Sequence, residues 1–347
     1  MRARTTTTTT AALAALSLAL LTGCGSGSDG GGSGDGADGA AAPSADEQVG
    51  SVETMFGTVD VPAPEDGELD VVALGWSDAE MALSLGVVPV GVFDWMEFGE
   101  QSKGVGPWAV DLFGDVEPTV IERGQETLNY EQIQGLDPDV ILNVRSSNDE
   151  AEHDRLSEIA PTVYAPEGTG AFATEWRVQL RSIGAALGRS EQAEEVIADV
   201  DGQIAEAAQA HPEFDGTTVA SVSKFGEAYG AYLPGDGRFD LLGDLGFVNN
   251  PPIEALEPSG FFAAVSVEDV PVFDAETAVV LPIGYTLAET QADPLLQSLP
   301  VVQQGRAVFL DPETELGSAW STASSLSIPV VLDQVVPQLA EAAAKVG

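Results

Sequence analysis

Short apolar runs alternate along this chain with stretches in which apolar residues recur at helical spacing. An uninterrupted apolar run is typical of a strand buried on both faces of a parallel sheet, whereas helical spacing predicts an amphipathic helix. Strands are predicted at residues 71–74, 87–93, 140–142, 219–222, 278–283 and 307–310. Helices are predicted at residues 77–85, 130–136, 176–187, 190–209, 239–245 and 327–344. The alternation predicts an α/β fold with parallel central sheets.

The longest predicted helix begins at Ser190 and lies in the middle of the chain. About twenty residues of helix give a rod of ~30 Å. This rod either joins two lobes or packs within one domain. Roughly 290 residues remain beyond the N-terminal segment, which is enough for two α/β lobes. Earlier in the chain, Ser77 and Asp78 are predicted to cap the helix at 77–85.

One pattern of residues occurs twice. Glu131 is followed two positions later by an apolar residue and six positions later by an aspartate, just before the strand predicted at 140–142. Glu268 begins the same pattern before the strand predicted at 278–283. The repetition predicts that two halves of the chain share one plan.

The N-terminus carries Arg2 and Arg4, then an apolar stretch at 11–21, and then the sole cysteine, Cys24. This order is typical of a secretory signal. Leu21-Thr22-Gly23-Cys24 resembles the lipobox, at which bacterial lipoproteins are cleaved and lipidated. We therefore expect a signal peptide at 1–23, lipidation of Cys24 and an extracytoplasmic protein anchored by lipid to the outer face of the cell membrane.

Two alternatives to that anchor fit the same residues. An ordinary signal peptide with a cysteine nearby by chance is one, and a transmembrane helix is the other, although the apolar stretch falls short of the ~20 residues that spanning requires. Residues 24–50 are rich in Gly, Ser, Ala and Asp, so they are expected to form a disordered acidic tether.

Charge and motif content exclude several classes of function. The formal net charge of −43 repels nucleic acid and favours a neutral or cationic ligand, although it also suits solubility in salty surroundings. His153 and His211 are the only histidines, too few for a Zn²⁺ or Mn²⁺ site. No nucleophile elbow or phosphate-binding loop is present. A carboxylate-dependent hydrolase and a passive structural lipoprotein remain as alternatives.

The order and spacing of several segments resemble a known family. These are residues 71–74 with Ser77 and Glu80, then 85–92, 129–133, 136–141 and 302–309. They are similar to the periplasmic-binding-protein components of ABC importers for ferric siderophores, haem and cobalamin, over about residues 50–346. The resemblance implies two Rossmann-like lobes, at 51–189 and 211–347, joined by one long helix at 190–210, with ligand held between them. It also implies that Glu131 and Glu268 dock onto the permease.

Aromatic and cationic residues follow the predicted strands, where open α/β sheets bind their ligands. The candidate ligand-binding residues are Trp76, Trp95, Trp108, Arg145, Ser146, Tyr229, Tyr232, Tyr285 and Trp320. Aromatic faces suit a bulky, partly apolar chelate, and an arginine donates to the oxygens around iron.

The sequence thus predicts a monomeric substrate-binding lipoprotein rather than an enzyme. It would capture a ferric siderophore outside the cell and deliver it to a permease and its ATPase, with no cofactor or resident metal of its own. Haem and cobalamin are the alternative ligands.

Overall fold

The computed structural model describes residues 48–64, 67–121 and 128–346. The predicted signal peptide, Cys24 and most of the predicted tether lie outside the described residues. The tether was expected to reach residue 50, but the first strand already begins at Gln48. Gly50 was assigned to the tether because glycine is common in flexible linkers. In the structure it instead packs so closely against the carbonyls of Ala185 and Ala186 that no side chain would fit there.

Thirteen strands are described. They are β1 (Gln48–Thr54), β2 (Gly57–Pro62), β3 (Val71–Ala73), β4 (Gly91–Phe93), β5 (Thr119–Ile121), β6 (Val140–Leu142), β7 (Thr162–Val163), β8 (Thr218–Phe225), β9 (Ala228–Tyr232), β10 (Val248–Asn249), β11 (Phe262–Val265), β12 (Thr277–Ile283) and β13 (Ala307–Phe309).

Twelve α-helices are described alongside them. They are α1 (Asp78–Ser84), α2 (Tyr130–Gln134), α3 (Glu150–Ser157), α4 (Trp176–Ala186), α5 (Ser190–Ala210), α6 (Gly237–Asp244), α7 (Pro251–Glu254), α8 (Leu287–Gln291), α9 (Pro294–Gln297), α10 (Pro300–Gln303), α11 (Glu315–Thr322) and α12 (Ile328–Ala343).

The strands form two larger sheets and a separate β1–β2 hairpin. The first sheet has the order β5-β4-β3-β6-β7 and is parallel throughout. The second has the order β11-β9-β8-β12-β13, with β10 beside β8. Its strands β8, β10, β12 and β13 are parallel, and β9 and β11 are antiparallel to their neighbours. The predicted α/β class with parallel central sheets is therefore confirmed. We call the parts of the chain built on these sheets the first and the second lobe.

The antiparallel pair in the second sheet follows from a short connection. Only residues 226–227 separate β8 from β9, and a two-residue loop can join antiparallel strands but not parallel ones. Gly226 adopts φ 52° there, a conformation that glycine reaches without steric cost.

The strand predicted at 87–93 is shorter than expected, because only Gly91–Phe93 pairs as β4. Pro89 has no backbone N–H to give to a sheet. The N–H of Val87 instead donates to the carbonyl of Ala82, near the end of α1. Residues 87–90 therefore close that helix and lead into the strand.

Helix α5 follows the first lobe and precedes the second, and it runs for 21 residues. Its buried residues Ala193, Ile197, Val200 and Ile204 form one stripe at helical spacing. They belong to a continuous hydrophobic cluster that contains core residues of both sheets. None of the described helices is long and apolar enough to cross a membrane.

Candidate functional site

A stack of aromatic rings lies at the carboxyl edge of the first sheet. Trp76 follows β3, and Trp95 follows β4. The two ring centroids are 4.6 Å apart at an interplanar angle of 13°. Phe172, from the loop before α4, covers Trp76 with centroids 4.3 Å apart. All three rings are half-buried, so together they present an aromatic wall to solvent.

The second lobe contributes a fourth ring to this wall. Phe261 lies just before β11 and meets Trp76 edge-on, with centroids 5.9 Å apart. On its other side Phe261 is parallel to Tyr232, at 6.4 Å. The rings therefore run without interruption from one lobe to the other.

A cavity of about 210 Å³ lies behind the stack in the first lobe. We call it the polar cavity. It is lined by Leu74, Trp76, Phe93, Leu128, Asn143, Arg145, Ser146, Ser147, Glu152 and Phe172. Most of these residues follow β3 or β6, so the cavity occupies the place where parallel sheets bind ligands.

Arg145 is the cation of the polar cavity and is 2 % exposed. Its Nη1 donates to the carbonyl of Thr322 at 3.0 Å, and its Nε donates to the carbonyl of Phe172 at 3.3 Å. Its Nη2 lies 3.6 Å from a carboxylate oxygen of Asp236 but has no hydrogen-bond partner among the described residues. Burial lowers the pKa of Arg145 to about 10, so the guanidinium stays charged at neutral pH, and both N–H groups of Nη2 lack a hydrogen-bond partner in the described part of the chain.

Thr322 is the point at which the first lobe meets the second. It is the last residue of α11, and the carbonyls at a helix C-terminus have no partner within the helix. Both Arg145 and the hydroxyl of Ser77, at 2.8 Å, donate to this carbonyl. Ser77 was predicted to cap α1, but its side chain makes no capping bond, because its hydroxyl makes this contact instead.

A second cavity, of about 250 Å³, lies in the second lobe. We call it the apolar cavity. It is lined by Ser223, Phe225, Gly230, Tyr232, Phe261, Phe262 and Ile283. Phe261 and Tyr232 connect it with the aromatic wall. The two cavities therefore flank one set of rings.

Trp108 does not join the wall, because a buried carboxylate holds it elsewhere. Its Nε1 donates to Glu80 at 2.8 Å, and the N–H of Gly106 donates to the same carboxylate at 3.2 Å. The hydroxyl of Ser324 in the second lobe is a third donor. Burial raises the pKa of Glu80. Trp108 therefore belongs to a polar seam between the lobes.

Three other predicted residues also lie away from the two cavities. Trp320 is 2 % exposed and packs in the main hydrophobic cluster. Tyr229 is buried, and its hydroxyl donates to Asp293 at 2.8 Å. Tyr285 is half-buried, and its hydroxyl donates to the carbonyl of Gly226. Lys224 lies over the rings of Tyr229 and Tyr285. Because side chains alternate along β8, Lys224 lies on the sheet face opposite to Ser223 and Phe225.

Of the nine predicted residues, the structure thus brings five together. Trp76, Arg145 and Ser146 line the polar cavity, Trp95 stacks on Trp76, and Tyr232 lines the apolar cavity. Trp108, Tyr229, Tyr285 and Trp320 line neither cavity, and their role in ligand binding stays a prediction.

Sequence reasoning missed Phe172, Phe261, Asn143 and Glu152. Phe172 and Phe261 each follow a glycine-containing loop segment, and Phe172 adopts φ 55°, which is unusual for a residue with a side chain. Asn143 directly follows β6, so its position at the carboxyl end of a strand could have identified it as a candidate. Glu152 sits on α3, and nothing in its local sequence distinguishes it from the other acids.

The two predicted docking glutamates lie at the surface, and the two histidines are half-buried. Glu131 in α2 and Glu268 before a short 3₁₀ turn are both exposed. His153 stacks on Phe56, with centroids 4.2 Å apart, and His211 contacts Glu213 at 2.9 Å. Within the described residues there is no cluster of three or more His, Cys, Asp or Glu that could hold a metal ion.

Comparison with known sequences gives a consistent picture. The profile of the periplasmic binding protein family matches residues 71–314. The chain is 33 % identical over 159 residues to the probable siderophore-binding lipoprotein YfiY of Bacillus subtilis. That alignment covers 45 % of this chain and 44 % of YfiY, so it spans about half the length of either protein.

Comparison with solved structures extends over most of the chain. A periplasmic solute binding protein from Mycobacterium smegmatis is 29 % identical with a TM-score of 0.73, covering 86 % of this chain and 99 % of its own. PiaA of Streptococcus pneumoniae in complex with ferrichrome is 25 % identical with a TM-score of 0.72, covering 86 % and 99 %. This chain thus shares its two-lobed α/β fold with known binding proteins.

Proposed function

Because this chain belongs to the periplasmic binding protein family, we propose that it captures a ferric siderophore outside the cell for an ABC importer. A similar lipoprotein is named for siderophore binding, and a similar structure holds ferrichrome. The observation that carries the proposal is the unused donor of buried Arg145 behind a wall of half-buried rings. The protein would bind its ligand and release it unchanged.

The chemistry of a ferric chelate fits this arrangement. Oxygen ligands around iron carry negative charge, and a guanidinium donates to such oxygens. The organic framework of the chelate is partly apolar and can rest against the faces of Trp76, Trp95 and Phe172. The apolar cavity would take up apolar parts of the same ligand from the side of the second lobe.

Attachment to the membrane is part of the proposal. Cys24 would carry the lipid, and residues 24–47 would connect it to the folded part. More than one acyl chain makes such an anchor durable. The name of the relative YfiY as a lipoprotein supports this.

Delivery to the importer would use one glutamate on each lobe. Glu131 and Glu268 are exposed and begin the two copies of the repeated sequence pattern. Carboxylates pair directionally with arginine, so two of them at separate places on one rigid body would test both orientation and spacing at the permease.

The ligand assignment is tested by titration of the protein with ferric hydroxamates, ferric catecholates, haem and cobalamin. We expect a ferric siderophore to quench tryptophan fluorescence and to raise the melting temperature, since a ligand that binds only the native state stabilises it. The iron-free siderophores serve as controls. Binding of haem or cobalamin alone, or of no compound in the panel, would refute the siderophore assignment.

The docking assignment is tested by uptake. Glu131→Lys combined with Glu268→Lys should abolish uptake of the ferric ligand and leave its affinity unchanged. Glu158→Lys combined with Glu313→Lys, at two other exposed acids, is the matched control. Uptake that survives the first pair, or is lost equally with the second, would contradict the assignment.

A further inference from the structure

We infer that Glu152 makes the polar cavity select neutral or cationic ferric complexes against anionic ones. This rests on the proposed function and names the charge class of its ligand. Glu152 is the third residue of α3 and lines the polar cavity beside Arg145.

Neighbouring polar groups hold the Glu152 side chain in place. The Nδ2 of Asn143 donates to its Oε1 at 2.9 Å, and the hydroxyl of Tyr164 lies 3.5 Å from the same oxygen. Asn143 and Tyr164 are themselves buried. A carboxylate fixed in this way cannot swing freely out of the path of a ligand.

The charges around the polar cavity do not favour an anion. Arg145 and Glu152 are the charged residues among those that line it in the described part of the chain. The charge of Arg145 is further offset by Asp236, 3.6 Å away. Asp236 is in turn paired with Arg238 at 2.6 Å, so one cation faces each side of that carboxylate. The cavity thus contains one cation and no excess of positive charge.

The acids next to Glu152 extend the same field. Asp149 caps α3 and Glu150 lies in its first turn, while Arg155 is drawn onto the ring of Tyr130, 3.8 Å from its centroid. The whole chain carries −43. An approaching anion is therefore repelled both at long range and at contact.

Ferric siderophores fall into classes that differ in the net charge of the iron complex. Three hydroxamates neutralise Fe³⁺, so a ferric tris-hydroxamate is neutral, and an added ammonium group makes it cationic. Three catecholates carry twice that negative charge, so a ferric tris-catecholate remains strongly anionic. Hydrogen bonding from Arg145 is open to either, but only the catecholate complex meets repulsion from Glu152.

The test compares the affinities of one neutral tris-hydroxamate and one tris-catecholate by tryptophan quenching at low and high salt. Wild type should prefer the hydroxamate. Glu152→Gln keeps an oxygen that accepts from Asn143 and removes the charge, so it should raise the affinity for the catecholate about tenfold and change that for the hydroxamate less than about twofold. The preference of wild type should also weaken as salt increases.

Glu150→Gln is the matched control, because Glu150 lies in the same turn of α3 but is exposed and does not line the cavity. The inference is overturned if Glu152→Gln and Glu150→Gln shift the affinity ratio equally, or if wild type binds both chelates equally well. In those cases chelate binding itself, and hence the proposed function, still stands. Failure of both chelates to bind at any salt concentration would count against the proposed function as well.

Discussion

The two lobes end in cavities of opposite character. The polar cavity of the first lobe contains a cation, a carboxylate, an amide and two hydroxyls. The apolar cavity of the second lobe is lined by aromatic and aliphatic side chains, with Ser223 as its polar exception. The repeated sequence pattern predicts similar halves, yet the residues at the ends of the strands differ. The loops at the strand ends therefore give the two cavities different chemistry.

The charged residues Arg238 and Asp236 of the second lobe are buried, and aromatic rings cover Arg238. Arg238 lies over the ring of Tyr232, 3.8 Å from the centroid, and also faces Phe261 at 5.2 Å. Asp236 is fully buried between Arg238 and Arg145. The second lobe thus presents mainly apolar area at its cavity, whereas charged groups line the cavity of the first lobe.

Two tryptophans give the largest contrast between surface and interior. Trp320→Ala should lower the free energy of unfolding by about 4 kcal/mol, because it empties a fully packed site. Affinity for a ferric chelate should be unchanged in the material that remains folded. Trp76→Ala should have the reverse effect, with about 30-fold weaker binding and a loss of stability of only about 1 kcal/mol, because its ring is half-buried.

Urea denaturation and fluorescence titration of both variants measure this contrast. Equal losses of stability would mean that the aromatic wall is part of the core. Unchanged affinity in Trp76→Ala would show that the aromatic wall does not contact the ligand.

The next largest effect on stability is expected where the lobes meet. Arg145→Met removes a buried cation that bonds Thr322 and faces Asp236. It should cost about 3 kcal/mol of stability and about 100-fold in affinity. Asp236 keeps its pairing with Arg238, which limits the loss. Arg181→Met, at an exposed arginine paired with Glu194, should cost less than about 1 kcal/mol. Equal losses of stability and affinity in the two variants would show that Arg145 does not link the two lobes.

An acid of the second lobe gives a pH-dependent test of how its charges are buried. Burial raises the pKa of Asp240 to about 7, with nearby Asp236, Glu175 and Asp244 adding to the effect against a hydrogen bond from Gly235. The native state therefore holds this proton more tightly than the unfolded chain does. Stability should fall as pH rises from about 4 to about 7, and this group should cause no further change above that range.

Asp240→Asn should remove that part of the pH dependence and raise stability at pH 8 by about 2 kcal/mol. Thermal unfolding across this pH range measures it. Asp199→Asn, at an exposed acid of α5, should leave the slope as it is in wild type. An unchanged slope in Asp240→Asn would show that its burial has no energetic consequence.

The smallest effect is expected at the rim of the apolar cavity. Ile283 is 51 % exposed, so Ile283→Ala removes contact area with little loss of core packing. Affinity for a ferric chelate should weaken about threefold, in line with the apolar area lost, and the melting temperature of the free protein should hardly change. Isothermal titration would detect the difference. A loss as large as that of Trp76→Ala would invert the roles assigned to the two cavities.

Much of the scaffold was readable from the sequence because it depends on local patterns. Helix α5 was predicted at 190–209 and is found at Ser190–Ala210. Its ends are marked by Ser190 and by Pro212, and its buried stripe has a clear period. The buried strands β3 and β6 were predicted for the same kind of reason. The length of the strand predicted at 87–93 is wrong, because the prediction gave more weight to the apolar composition than to Pro89, which cannot donate to a sheet.

The site was predicted less completely, because its residues are distinguished by distant contacts. The position of Trp76 after a strand was correctly associated with the carboxyl edge of a sheet. Trp320 also follows a strand, but it lies inside α11, and only the packing of that helix decides that its ring points into the core. Ser77 similarly looks like a capping residue until Thr322, far along the chain, is brought beside it.

The continuous hydrophobic cluster that includes α5 has a consequence for folding. Each half also buries a cluster of its own, but the cluster that both halves share is larger than either. Expressing the chain as two fragments divided within α5 should give two partly ordered, aggregation-prone polypeptides and not two independently folding domains. Heating the intact protein should give one cooperative calorimetric peak, despite the bilobal outline of its backbone.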